Sequence, residues 1–204
     1  MMNDSGKVLV VGLGSAHGDD QAGWLVAEQL LKKVSVLKKV SGTLEASEGQ
    51  VESLMRESSR HFFQHVVVRR AMIPLDVLDW LEGVSILHVC DACETTGSHE
   101  KLMRFTWTAG RLVDSDKSTD SGVNASLKLR GGRGSHDFGL LDVLQLAKKT
   151  GLLPKHVIIW AISGKCFRPA DVMSDDTKNT VCQAVDAVMK ELSRILCGGE
   201  SAIL

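Results

Sequence analysis

The sequence predicts a three-layer α/β fold, a mostly parallel sheet with helices on both faces. Three observations lead there. Apolar, largely β-branched runs recur at Val8 to Val11, His65 to Arg70, Ile86 to Cys90 and Val157 to Ile162. The first and last are continuous rather than alternating, as expected of strands buried on both sides. Stretches with helical spacing lie between the runs, and strands alternating with helices build a mostly parallel sheet.

Each element has its own signal. Lys7 to Gly14 reads KVLVVGLG and passes through Ser15-Ala16-His17-Gly18 into Asp19-Asp20. A β-branched run ending in glycines hands its chain to a helix. Here Ala22, Val26 and Leu30 share one helical face, with Leu25 beside them. Residues 34–64 are polar and serine-rich, and read as an extended helix end plus an insertion. After the second strand, Pro74 suits the first turn of a helix running through Leu81. The third strand ends in Asp91, and Lys101 to Thr106 is a fourth strand, antiparallel or at an edge. Residues 110–134 are rich in Ser, Asp, Gly and Lys and predict a mobile loop near the site. Ser135-His136-Asp137 then opens a helix carrying Leu140, Leu144 and Ala147 on one face, which Gly151 stops. Ser174 caps the last helix, and Asp175 and Asp176 suit the positive end of its dipole. Val181, Val185, Val188, Leu192 and Ile195 form its apolar stripe.

The totals bound the function. At 204 residues the chain predicts a single domain spanning 1–204. A net charge of −1 argues against nucleic acid or an anionic membrane as partner. No apolar stretch approaches a membrane span, and the N-terminus has no apolar signal region. Five cysteines without a small-domain framework fit reduced thiols, hence a cytoplasmic setting.

The acidic pair after the glycine turn carries the chemistry. Open amides at a helix start ordinarily hold an anion. Here the chain supplies its own negative charge, which argues against a phosphate cradle and for a cation site. Gly12-x-Gly14 does not complete a dinucleotide fingerprint either, since the third glycine falls at His17. In open α/β sheets, ligands bind beyond the carboxyl ends of the strands. Asp19-Asp20, Asp91 and His136 fall there or beside it. Two carboxylate oxygens and one imidazole nitrogen suit a first-row divalent metal and leave a position open. The plainer readings stand beside this one. An Asp at a helix start is commonly a cap, and Ser135-His136-Asp137 can be just a capped helix start. Asp91 resists such a reading, because a carboxylate after an apolar run is costly unless paired or ligated. Cys90-Asp91-Ala92-Cys93 reads as buried, inert thiols rather than a redox pair. His17 reads as a mouth-lining polar residue, with a fourth ligand or a base as alternatives. Trp24 and Phe167 read as packing or as groove lining.

In order along the chain, VLVVGLGSAHGDDQAGWLVAEQL, LHVCDACETTG, GSHDFGLLDVLQLAKKTGLLPKHVIIWAISG and MSDDTKNTVCQAVDAVMKEL together resemble the hydrogenase maturation proteases. These endopeptidases trim the large subunit of nickel–iron hydrogenases. The resemblance implies a twisted, mostly parallel five-stranded sheet between helices. It implies that Asp20, Asp91 and His136 are the metal-binding positions. The metal would be the nickel of the substrate, a hydrogenase large-subunit precursor or similar metalloprotein, with zinc as the alternative ion. The implied reaction is one cut that removes a C-terminal peptide. Asp20 would then serve catalysis through the metal, and Asp19 would orient or deprotonate a water. The chain departs from the family at Ser15, where Asn is usual, and at Arg69-Arg70-Ala71-Met72-Ile73-Pro74, which replaces an acidic, glycine-rich turn. The altered turn, with the extra segments 34–64 and 110–134, motivates a second reading, a non-catalytic metal- or protein-binding relative; a third is another small metallohydrolase using the same ligands.

Overall fold

The computed structural model describes residues 6–40, 63–95, 100–114, 127–129 and 139–198. Among the described residues, seven strands form one sheet: β1 (Lys7–Leu13), β2 (Val66–Ala71), β3 (Val84–Thr95), β4 (Leu102–Thr108), β5 (Arg111–Asp114), β6 (Leu127–Leu129) and β7 (His156–Gly164). The helices are α1 (Ala22–Val40), α2 (Leu140–Thr150) and α3 (Asp175–Gly198). Short 3-10 helices occupy Gly18–Gln21 and Pro74–Trp80. The strand order is β2-β1-β3-β7-β4-β5, and β6 pairs with β3. The four strands β2, β1, β3 and β7 are parallel. β4 runs antiparallel to β7, β5 to β4 and β6 to β3.

The alternation of each strand sorts its side chains into two cores. Val8, Val10, Ile86 and Ile158 meet Val26 and Leu30 of α1 and Val185 and Leu192 of α3. Leu9, Val11, Leu87 and Ile159 meet Val77 of the second 3-10 helix and Leu140 and Leu144 of α2. The three-layer α/β class is therefore the observed one, and β4 is antiparallel as one of its two readings had it.

Several boundaries differ from the sequence reading. The sheet has two short strands more than the expected five. One, Arg111–Asp114, lies in the stretch read as a loop and pairs in a hairpin with Phe105 to Thr108. Its two-residue turn, Ala109-Gly110, has φ of 56° and 92°, the positive pair such hairpins use. An alanine there hides the turn from the eye. The helix after Pro74 is 3-10 rather than α. Asp91 does not end β3 but lies within it. The described helix α2 begins at Leu140, where the Gly139 amide donates to the Asp142 carboxylate at 3.1 Å; Ser135-His136-Asp137, read as its opening, lie outside the described residues. The remainder of the predicted insertion, 41–62, and most of the predicted loop lie outside the described residues.

A buried polar network ties α3 to the sheet. Arg104 of β4 grips Glu191 of α3 with two bonds, Nη2 to Oε1 at 2.6 Å and Nε to Oε2 at 3.0 Å. Its guanidinium lies 5.8 Å from the Trp160 ring. The Trp160 indole in turn donates to Nδ1 of the fully buried His88 at 3.2 Å. Removing one partner of such a pair strands a buried charge, so the network fixes how α3 sits on the sheet. Burial lowers the His88 pKa to about 4, with Glu191 opposing the shift and Arg104 adding to it.

That imidazole makes stability fall in acid. Unfolded, His88 binds its proton near the ordinary value of 6.5, while the native state refuses it until about 4. Its contribution is full above pH 6.5 and is lost as pH falls toward 4, by up to about 3 kcal/mol. His88→Gln should flatten thermal-melt midpoints against pH across that window. An equally steep profile would contradict the assignment.

Candidate functional site

The site is built where β1 stops and β3 continues. β1 pairs with β3 as far as Gly12 opposite Cys90. On the same side, β6 takes over only at Cys93. β7 remains paired on the far side throughout, with Asp91 opposite Ala161. Asp91 thus sits in a gap of the ladder. Connections leave β1 toward β2 on one side while β3 lies on the other, the topological position where α/β sheets open a crevice.

The glycine turn fills the mouth of that gap. Gly14 N–H donates to Ala71 O at 3.3 Å, Ser15 N–H to Asp20 O at 3.3 Å and Asp20 N–H to His17 O at 3.0 Å. Gly23, in the first turn of α1, lies against the carbonyls of Leu13 and Cys90, and a Cβ there would collide with both. α1 therefore starts directly on the end of β1 and against the middle of β3 at Cys90, which brings the segment carrying Asp20 toward Asp91.

The two adjacent aspartates take opposite surroundings. Asp19 is fully buried. Its Oδ2 accepts from Lys165 N–H at 2.7 Å, Cys166 N–H at 2.9 Å and Ser174 Oγ at 3.1 Å, and its Oδ1 from Ser174 N–H at 2.7 Å. Burial works to raise its pKa, but the bonds from Lys165, Cys166 and Ser174 together hold the carboxyl below its ordinary value. Ser174 then caps α3, its Oγ accepting from Thr177 N–H at 3.3 Å. Asp19 does not cap the helix it precedes; it holds the cap of another. Its lone pairs are taken up by backbone and Ser174.

Asp20 is half-buried and its charge acts on Asp91. Asp91 is 4 % exposed. Burial first, and the charge of Asp20 second, push the Asp91 carboxyl up to about 8 against the pull of the Ala92 N–H. A cation near both would relieve the repulsion that Asp20 imposes on Asp91.

Of the four candidate residues, Asp20 lies near enough for its charge to act on Asp91, and Asp19 is directed elsewhere. His136 lies outside the described residues, and among the described residues no group of three or more His, Cys, Asp or Glu gathers for a metal. His17 is exposed at the turn. Phe167 is buried, packed against Gly164, and the half-buried Trp24 donates its indole N–H to Ala71 O at 2.8 Å. Cys90 and Cys93 are buried, and burial lifts both thiols, Cys93 to about 12. The Lys165–Ser174 segment that receives Asp19 was missed in the sequence. Only the Ser174 cap hinted at it.

The fold is shared with solved endopeptidase structures. The hydrogenase maturating endopeptidase HybD from E. coli superposes with a TM-score of 0.57 at 16 % identity, covering 92 % of each chain. The nickel–iron hydrogenase maturation protease HybD from Thermococcus kodakarensis gives 0.53 at 16 %, over 90 % of this chain and 97 % of that one. HycI from Thermococcus kodakarensis KOD1 gives 0.54 at 15 %, over 92 % of each. No protein-family model matches the sequence, and no curated protein matches it. Among the described residues, no helix is long and apolar enough to cross a membrane.

Two substitutions separate the aspartates. Asp19→Ala strands the donors of Lys165, Cys166 and Ser174 and should cost about 3 kcal/mol or more in denaturant unfolding. A loss under about 1 kcal/mol would contradict the clamp. Asp91 has the opposite sign. Its raised pKa favours the native state in acid, and that contribution is lost as pH rises from about 4 to about 8. Asp91→Asn should therefore stabilise the protein at pH 8, by about 2–5 kcal/mol. An unchanged or lower melting temperature there would refute it.

Proposed function

We propose that this chain is an endopeptidase of hydrogenase maturation, which removes a C-terminal peptide from a nickel-loaded hydrogenase large-subunit precursor or a similar metalloprotein. One observation carries the reading. Asp20, whose charge acts on Asp91, and Asp91 itself lie where β1 stops beside the continuing β3, in a fold shared with proteins that carry the maturation endopeptidase name. The residues fit a cation. Asp91 is an acid kept from ionising by burial and by a neighbouring carboxylate, and a cation between the two would relieve both penalties.

Asp20 and Asp91, with His136 as third ligand, would hold the nickel of the substrate; zinc is the alternative ion. A divalent cation there would supply Lewis acidity toward the scissile carbonyl or a water. The chain's own residues do the rest. Asp91 would have to release its proton to hold a cation. The Gly23 contact keeps the Asp20 segment against β3. In this reading Asp19 positions rather than deprotonates, since its oxygens already accept four bonds. A cytoplasmic setting accords with substrates that are loaded with metal before they are cut.

The test is direct. Purified protein incubated with a nickel-loaded large-subunit precursor should shorten it by one C-terminal peptide, seen by mass spectrometry. Asp20→Ala and His136→Ala should each slow this by at least ~100-fold and weaken nickel binding in calorimetry. Intact metal binding without trimming would sink the protease reading and favour a non-catalytic relative.

A further inference from the structure

We infer that the outer edge of β2 is a strand-addition site for an extended, acidic segment of a partner protein. Among the described residues β2 is the terminal strand of the sheet and its strand partner is β1; Val66, at its start, has a further interaction, and Val68 and Arg70 lie beyond it. Val8 N–H donates to His65 O and Gly14 N–H to Ala71 O, so odd-numbered residues of β2 turn their backbone groups toward β1. In a parallel strand the even-numbered ones turn outward. Among the described residues nothing pairs with the outward N–H and C=O of Val68 and Arg70. An edge of this kind is a template for an added strand.

The edge is also open and positively charged. A groove of about 410 Å³ runs beside it, lined by Ala27, Glu28, Leu31, Val68, Arg69 and Arg70. Both arginines are exposed. Each is held over an indole, Arg69 at 4.8 Å from the Trp80 ring and Arg70 at 5.4 Å from the Trp24 ring. Trp80 belongs to the 3-10 helix on one face of the sheet and Trp24 to α1 on the other, so one guanidinium stands on each face of the edge. Among the described residues neither makes a salt bridge with a carboxylate. The acid in the groove, Glu28, is bonded to Lys32 at 3.0 Å and also feels the charge of Arg70 without an ion pair to it.

Successive residues of an added strand point to opposite faces. Two consecutive acidic residues would therefore meet the two arginines at once, while the strand's amides meet Val68 and Arg70. Apolar neighbours of that pair would lie along Leu31 and Val68. Beyond the strand's end they would reach Met72, Ile73 and Leu75, which are 67 %, 51 % and 43 % exposed. The same two arginines stand where the chain departs from an acidic, glycine-rich turn. This surface is separate from Asp20 and Asp91, and the inference does not depend on whether the chain cuts its partner.

The probe is the acetylated, amidated hexapeptide TVEEVT, added to the full chain at about 1 mM. Amide exchange at Val68 and Arg70 should slow on addition, and the free protein should exchange there rapidly. Arg69→Glu with Arg70→Glu should weaken binding on the order of tenfold, with an unchanged thermal melt. A TVEEVT peptide N-methylated on its pairing edge should not bind, which tests the strand geometry without altering the protein. Four results would overturn the inference: amides of Val68 and Arg70 already protected before peptide is added, no slowing of their exchange by TVEEVT, equal binding of TVKKVT, or equal binding of the methylated peptide. Displacement of TVEEVT by an equimolar single-stranded oligonucleotide would assign the arginines to a nucleic acid and overturn it as well.

Discussion

One carboxylate joins three distant parts of this chain. Asp19 follows the first strand, yet its acceptors are spent on Lys165 and Cys166 after the last strand and on Ser174 before the last helix. A buried charge survives only when its bonds to water are replaced in full. That requirement forces the glycine turn, the segment 165–174 and the start of α3 into one arrangement. Gly18 shows how tightly: its φ of 48° sets it against the Cys166 carbonyl, where a side chain would not fit. The acidic site next door inherits its shape from this clamp.

Asp19 and Asp20 show that environment, rather than residue type, assigns a role. Backbone amides surround the first and stabilise its charge. The second acts on Asp91, which is starved of solvent and raised by it. The same chemistry one residue apart yields a structural anchor and a group under electrostatic tension. The Arg104–Glu191 pair resembles the anchor in kind, since its two bonds meet a buried charge with donors of fixed geometry.

Much of this was legible in the sequence, for a physical reason. Buried parallel strands write themselves as apolar runs, so β1, β2, β3 and β7 were visible, as were the α1 and α3 stripes. Turns that break local preference were not. Ala109 takes a positive φ only because the β4–β5 hairpin demands it. Asp91 looked like a strand terminus because charge normally ends a strand, whereas β3 continues through it with β7 and β6 as partners. At the site, the nearness of Asp20 to Asp91 follows from β1 stopping beside β3. The fate of Asp19 could not, because its partners are backbone amides and a serine some 150 residues away, which leave no mark on a sequence pattern.

The gap in the ladder at Asp91 has a mechanical meaning. A side chain rooted in the middle of a strand, with the neighbouring strand still bonded on one side, shares the stiffness of the whole sheet. It cannot swing to follow what binds it, as a loop residue would. The opposite bank, the glycine turn, is held by the Asp19 clamp and by close backbone contacts, so accommodation has to come from the incoming molecule. A site with two stiff walls works as a gauge, admitting only what already has the right size and reach.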